Sequence, residues 1–228
     1  MEKKEKIFIV GYSSFAQIAY EYFMYDSIYE VVGFSVEAKY QKEQSLFGLP
    51  IVPLEHIKDY FDPATIHFYV AIPYTQLNRL RTRLYLHLKE IGYCPASYIS
   101  SKAFVWSNVK LGEHIFIFEN NTIQPFVEIG DNVVLWSGNH IGHHSIIKDN
   151  VFISSQVVVS GHCILNENGF YGVNATIGNN VVIAKDVLLG AGAIVTKNIL
   201  QEDSVIPATV SKMSEPSFSA KKYFKVVD

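Results

Sequence analysis

Residues 126–165 read FVEIGDNVVLWSGNHIGHHSIIKDNVFISSQVVVSGHCIL, with an apolar residue at every sixth position: Ile129, Leu135, Ile141, Ile147, Ile153, Val159 and Leu165. The same phase runs back through Ile123, Ile117 and Leu111 to Val105, and on through Tyr171, Ile177, Ile183 and Leu189 to Val195. Two residues ahead of these stands a second column, mostly small or β-branched: Val127, Val133, Ser145, Val151, Val157, Ala175 and Val181 among them. A period of six fits neither a lone helix at 3.6 nor a sheet strand at 2. It is the pattern of a hexapeptide solenoid, in which each short strand turns one residue inward and three strands close a triangular coil. With about 18 residues per coil, residues 18 apart stack roughly 4.8 Å from one another. Gly112, Gly130, Gly142, Gly172, Gly178 and Gly190 each follow an inward residue, and are expected at corners where the backbone bends. The fold of this segment is a parallel β-helix.

The bulk numbers narrow the function. A chain of 228 residues that is 49% hydrophobic and 18% charged is a globular protein rather than a disordered one. Its net charge of −3 gives no reason to expect nucleic acid or an anionic membrane as partner. Cys94 and Cys163 are too few for a disulfide framework, which points to the cytoplasm. The apolar run Ile7–Val10 before Gly11 is too short for a signal peptide or a membrane span.

Ahead of the solenoid, residues 1–100 alternate strand-like and helix-like stretches. Ile7–Val10, Tyr29–Ser35, Leu49–Val52 and Ile66–Ile72 read as strands; Phe15–Met24 and Leu77–Gly92 read as helices. That alternation predicts a small parallel α/β sheet, a Rossmann-like unit. The expected division is 1–100 for this domain, 101–198 for the β-helix, and 199–228 for a C-terminal cap and tail. Within the coil, one outward column reads Phe116, Val134, Phe152, Phe170, Leu188, apolar at every level. Such a stripe has to be covered, by a partner subunit or by a neighbouring domain; trimerisation about it is the favoured expectation, with cover by the C-terminal tail as the alternative.

Four of the eight histidines fall in or beside one stretch: His140, His143 and His144, with His162 one coil later. The 18-residue map sets Gly161 over His143 and His162 over His144. A neutral imidazole can take a proton from a nucleophile, and an amide left unpaired at a solenoid corner can donate to an oxyanion. Base and oxyanion donor together suit acyl transfer. Two other readings stand beside it: a metal site, disfavoured because adjacent side chains on a tight coil diverge and no Cys or carboxylate joins them, and polar corners with no chemistry. At the other end, Gly11-Tyr-Ser-Ser follows a strand and opens a helix, so its amides can bind phosphate oxygens. It is not the dinucleotide fingerprint.

The run Trp136–Ser145, the hexads around it and Gly190-Ala191-Gly192 resemble the sugar acyltransferases of the left-handed β-helix superfamily. The group most similar contains sialic-acid O-acetyltransferases and N-acetyltransferases of nucleotide-linked 4-amino sugars, as in bacillosamine and perosamine biosynthesis. The resemblance spans nearly the whole chain. It implies homotrimers with acetyl-CoA in a groove between adjacent β-helices and no metal. By position, His143 matches the family's base and Gly161 the residue whose amide faces the thioester carbonyl. Gly172, Val173, Gly190, Ala191 and Gly192 fall where the pantetheine arm lies, and Lys197 and Pro207-Ala208 near the CoA nucleotide end. Where relatives carry an acidic residue after the base this chain has His144, so Asn139 is a second candidate to orient the imidazole. The usual Gly before the Pro-Ala pair is Val205. The resemblance implies nucleotide-sugar contacts from Gly11, Tyr12, Ser13 and Ser14, from Ser35, Val36 and Glu37, and from Ala71, Ile72 and Pro73. Trp136 is expected to line the sugar pocket near His143. The implied activity is N-acetylation of a nucleotide-linked amino sugar for surface glycan assembly, with sugar O-acetylation or a non-catalytic nucleotide-sugar-binding solenoid as alternatives.

Overall fold

The computed structural model describes residues 5–202 and 205–206; Pro207-Ala208 and the rest of the expected tail lie outside the described residues. The first unit is a five-stranded sheet built around β1 (Glu5–Val10), whose last four residues are buried. Its strand order is β3-β4-β2-β1-β5, with β2 spanning Tyr29–Val36, β3 Ser45–Leu46, β4 Leu49–Pro53 and β5 Ile66–Val70. All neighbours are parallel except the short β3–β4 pair, which falls in a segment too polar to read as strand. Helix α1 (Ser14–Tyr25) follows β1, and α2 (Arg79–Glu90) follows β5. The chain moves outward from β1 through β2 to β4, then returns to β5 on the other side of β1. This reversal opens a crevice at the carboxyl ends of β1 and β5, where ligands of parallel sheets bind. Among the described residues no helix is long and apolar enough to cross a membrane.

The hexads form two-residue strands on three parallel faces, each residue pairing with those 18 before and after it, as His140 does with Thr122 and Val158. The coil is longer than the expected 101–198. Tyr98–Ile99 already pairs with Phe116–Ile117, Ile199 bridges Ile183, and Val205–Ile206 pairs with Leu188–Leu189. The inward column, from Ile117 to Leu189, is buried in one continuous core.

The corners are not where the glycines were expected to make them. Every sixth residue from His114 to Gly192 has φ between +54° and +76°, and most of these positions are Asn, His or Asp. Asn and Asp tolerate the left-handed region because their short polar side chains bond locally. Gly112, Gly130, Gly142 and Gly172 sit two residues earlier and have no positive φ. They are glycine because of the next coil: a Cβ on Gly142 would lie 2.6 Å from the Gly161 nitrogen, and one on Gly172 2.6 Å from the Ala191 nitrogen. Close stacking, not bending, is the reason.

Tyr171 replaces an aliphatic inward residue and keeps the 18-residue register, pairing with Ile153 and Leu189. The space comes from Gly169, where a Cβ would meet the Tyr171 ring and hydroxyl at 2.8 Å. That hydroxyl is buried with no hydrogen-bond partner. Tyr171→Phe is therefore expected to stabilise the protein by about 1 kcal/mol, because an unpaired buried hydroxyl carries a desolvation cost. Thermal unfolding of the variant checks this; a lower midpoint would show a partner for the hydroxyl.

The apolar outward stripe has a different cover from the one expected. Phe116, Val134 and Phe152 belong, with Phe118, to one buried cluster with Phe15, Ala19 and Phe23 of α1. The chain's own N-terminal domain packs on that face, so the stripe no longer argues for trimerisation. Large apolar side chains so buried contribute roughly 1.5–3 kcal/mol each. A polar bolt locks the same junction. Arg81, fully buried, donates from Nε to Asn132 Oδ1 at 3.0 Å, from Nη1 to Pro73 O at 2.8 Å, and from Nη2 to Asn132 O and Asn150 O at 3.2 and 3.1 Å. His114, also buried, accepts the Val70 N–H at Nε2 and donates from Nδ1 to Asn132 Oδ1, both at 2.8 Å. Three consecutive left-handed residues, Gln76, Leu77 and Asn78, lead into α2. Asn78 donates to Asn168 O and Gly169 O on the coil.

Candidate active site

His143 is exposed at the corner that follows the strand His140–Ile141. Its ring lies over Gly161, one coil on: a Cβ there would come within 2.8 Å of the imidazole Cε1 and 2.9 Å of Nε2. Only glycine leaves room. The His143 backbone N–H donates to Gln124 Oε1 at 2.9 Å, and its Nδ1 lies 3.1 Å from Nδ1 of His144. His144, held at φ +57°, stacks on Phe126 below and His162 above at 4.6 and 4.8 Å. Stacking on both faces fixes the His144 plane. With His143 donating Nδ1–H to His144, the lone pair of His143 Nε2 is available as a base.

Asn139 does not orient His143. It is buried inside the coil, donating to Trp136 O at 2.6 Å and accepting the Val157 N–H at 2.8 Å. An inward position cannot reach a corner side chain. The Gly161 N–H is not unpaired either: it donates to Asn179 Oδ1 at 2.9 Å. Corner amides here are commonly capped from the next coil, as those of Glu113 and Asp131 are by Asp131 and Asp149. Asn179 is 18 residues beyond Gly161, so the coil map could have found it. To bind an oxyanion, the Gly161 amide has to exchange that side-chain oxygen for the ligand's. The expected divergence of neighbouring histidines also fails. His143, His144 and His162 bring ring nitrogens within 4.8 Å of one another, because successive coils align their corners.

A concavity of about 470 Å³ lies between the domains at the preceding corner. Ser13, Ser14 and Phe15 at the start of α1 line one side; Trp136, Phe152, Ser154, Ser155 and Val173 line the coil side, with Pro73 and Tyr74 between them. Trp136 packs on Phe118 at 4.2 Å and on Phe15 at 5.3 Å. Gly11, at φ +107° with Ala71 O 3.1 Å from any Cβ, is confined to glycine; its N–H donates to Ser35 O. Ser35 and Ala71 are fully buried at strand ends, so their side chains face the core and not a ligand. Tyr12, Val36, Glu37, Ile72 and Pro73 are half-buried around the crevice. The Tyr12 hydroxyl donates to Tyr40 O at 2.7 Å, and Glu37 pairs with Arg83 at 3.0 Å.

The two regions do not merge in one chain. Trp136 and His143 flank opposite ends of the strand His140–Ile141, and His143 does not line the interdomain pocket. Counting by 18, Gly172, Val173, Gly190, Ala191 and Gly192 fall on the Trp136 corner. Lys197 falls on the His143 corner, three coils along it, about 14 Å by the strand spacing. Residues expected to serve one reaction thus sit on two edges of one face.

No protein-family model and no curated protein sequence matches the chain. Solved structures match its fold. A histidine-to-asparagine mutant of perosamine N-acetyltransferase from Caulobacter crescentus, in complex with CoA and GDP-perosamine, matches with TM-score 0.77 at 21% identity over 89% of this chain and 93% of that one. The acetyltransferase domain of PglB from Neisseria gonorrhoeae matches with TM-score 0.78 at 17% identity over 90% and 97%. WeeI from Acinetobacter baumannii matches with TM-score 0.58 at 19% identity over 91% and 95%. At these identities the likeness is one of fold, and it extends through both domains.

Proposed function

We propose that this chain is an acetyl-CoA-dependent N-acetyltransferase acting on the amino group of a nucleotide-linked amino sugar, a 4-amino-4,6-dideoxyhexose, for surface glycan assembly. The observation that carries the reading is the His143 imidazole, seated on Gly161 at an open corner and anchored at Nδ1 by His144. Support also comes from the likeness to an enzyme described with CoA and GDP-perosamine. On this reading the coil is left-handed and the N-terminal sheet is a Rossmann-like unit. The first turn of α1 offers amides to the diphosphate, and Trp136 and Phe152 give the sugar an apolar wall.

His143 Nε2 takes the proton that the amine sheds as its nitrogen bonds to the acyl carbon; the C–S bond then breaks, and the leaving sulfur takes that proton from the imidazolium to become the CoA thiol, which restores the base. That imidazolium keeps a charge-assisted hydrogen bond to the neutral His144. The Gly161 amide, released from Asn179, steadies the oxyanion. The separation of the two corners supports a homotrimer in which the His143 edge of one chain meets the Gly190–Gly192 edge of another, the acyl donor running along the axis toward Lys197. The free cysteines suit a reducing cytoplasm.

Thiol release from acetyl-CoA, measured against a panel of 4-amino and hydroxy nucleotide sugars, tests the proposal. Turnover on an amino sugar is the expected result; turnover confined to hydroxy sugars would make the protein an O-acetyltransferase. A second prediction concerns the seat of the base. Gly161→Ala puts a methyl group into the space of the His143 ring and is expected to lower kcat about 100-fold, the scale of an ångström of misplacement. Because Gly161 has no positive φ, its thermal midpoint should change little. Wild-type kcat in that variant would remove His143 from the reaction.

A further inference from the structure

We propose that His143, His144 and His162 form a binding site for one divalent transition-metal ion of zinc-like preference, and that filling it shuts acyl transfer off. The second half rests on His143 as the base; the first does not.

The three rings converge because of the coil. His144 and His162 occupy the same left-handed corner on successive turns, at φ +57° and +58°, so their side chains leave the backbone alike and stack with planes 17° apart. His143 stands edge-on to both, at 87° to each, with ring centres 5.3 and 5.0 Å away. All three are exposed, and each offers a ligand nitrogen within 4.8 Å of the others. Nitrogens that share a tetrahedral zinc-like ion at 2.0–2.1 Å lie about 3.4 Å apart. The Nδ1 atoms of His143 and His144, 3.1 Å apart, are already near that spacing. They are held together by a single shared proton, whose place a cation can take. Closing the rest of the gap, from at most 4.8 Å to about 3.4 Å, takes only a tilt of exposed rings.

The donor set selects the ion. Three imidazoles with no carboxylate among them favour Zn²⁺, Ni²⁺, Co²⁺ or Cu²⁺ over the oxygen-seeking Mg²⁺ and Ca²⁺. Ring stacking alone does not call for histidine here, since Phe126 fills the same corner one coil below. The consequence for catalysis is direct: a cation on either nitrogen of His143 removes its lone pair or makes the ring a poorer base.

The test titrates the full chain with Co²⁺ and reads the visible absorption of the bound ion, then repeats the titration on His162→Asn. Asparagine suits that corner, because Asn180 holds it one coil above at φ +62°; circular dichroism and the thermal midpoint confirm the variant's fold. The expected result is one saturable Co²⁺ per chain, displaced by Zn²⁺, with affinity at least tenfold weaker in His162→Asn. Absence of saturable bands in the wild type, or equal affinity in His162→Asn, would overturn the site. Zn²⁺ is further expected to stop thiol release in the wild type, reversibly with a chelator, at concentrations that do not lower the rate of His162→Asn below that variant's own zinc-free rate, whatever that rate is. Saturation with Zn²⁺ at an undiminished rate would refute the shut-off and the role of His143 as base, while the site itself stands on the Co²⁺ spectrum.

Discussion

His143→Ala is expected to lower kcat for acyl transfer by about 10²–10⁴, the contribution of a positioned general base, or roughly 2.7–5.4 kcal/mol of barrier at 1.36 kcal/mol per decade. The fold should not notice. His143 is exposed, and surface substitutions away from such features stay within about 0.5 kcal/mol. Binding of the nucleotide sugar should persist, because the interdomain pocket has no wall from His143. Loss of kcat with an intact pocket is therefore the expected pattern, read by thiol release beside equilibrium binding. The proposed sharing of the site between two chains adds a sharper arm. Ala191→Trp, at an exposed position on the other corner, is expected to block the acyl donor and be inactive by itself. When the two dead chains are mixed and reassembled, part of the activity should return, because some junctions pair an intact His143 edge with an intact Ala191 edge. A wild-type rate in His143→Ala ends the proposed mechanism; mixtures that stay dead place the whole site within one chain.

Arg81→Ala carries the largest expected effect on stability, about 3–5 kcal/mol. Arg81 is fully buried, and burial lowers its pKa to about 10, so it remains a cation at neutral pH. Among the described residues no carboxylate pairs with it: its hydrogen bonds go to Asn132, Asn150, Pro73 and Asn78, all neutral. Truncation leaves Pro73 O, Asn78 Oδ1, Asn132 O and Asn150 O without this donor, at about 1–3 kcal/mol for each that stays dry, a large share of the 5–15 kcal/mol that holds a domain; Asn132 Oδ1 keeps its bond from His114. Arg81→Lys should recover little, because an ammonium cannot span the fork. Denaturant unfolding measures both, and a midpoint within error of wild type for Arg81→Ala would show that water enters the junction. The loop Ile72–Asn78, which Arg81 ties to the coil, carries Pro73 and Tyr74 of the pocket, so KM for the nucleotide sugar should rise in the same variants.

His114 gives that junction a pH dependence. Burial pushes its pKa down to about 3, whereas an unfolded histidine titrates near 6.5. Between these values the unfolded chain binds the extra proton, so stability rises with pH there. The contribution is complete above about pH 6.5 and is lost as pH falls toward 3, by up to about 1.4 kcal/mol per unit. Unfolding free energies compared between wild type and His114→Gln across this range isolate the term. Parallel pH curves for the two proteins would refute it.

What could be read without the fold was whatever repeats. The period of six, the 18-residue stacking, the inward core and the vertical relation of His143 to Gly161 all follow from a coil whose geometry is the same at every turn. For the same reason the map had Asn179 within its reach above Gly161. Local patterns also placed α1 and α2 within a residue or two, because strand and helix periods differ. The errors arose where a residue's role depends on what lies beside it rather than above it. Asn139 and His143 are near neighbours in sequence, yet one points into the coil and the other out. Gly142 looked like a bend and is a close contact.

The sequence by itself therefore determined the coil, its register and the presence of an exposed histidine over a glycine. Only the tertiary structure decided what covers the stripe of Phe116, Val134 and Phe152, and what holds the two domains together. It also decided that His143 and Trp136 face different edges. The physical reason is that a repeat reports contacts at fixed separation along the chain. The packing of α1 on the coil, and of Arg81 and His114 against Asn132, joins residues whose separations follow no period, and no local signal of charge or pattern marks them.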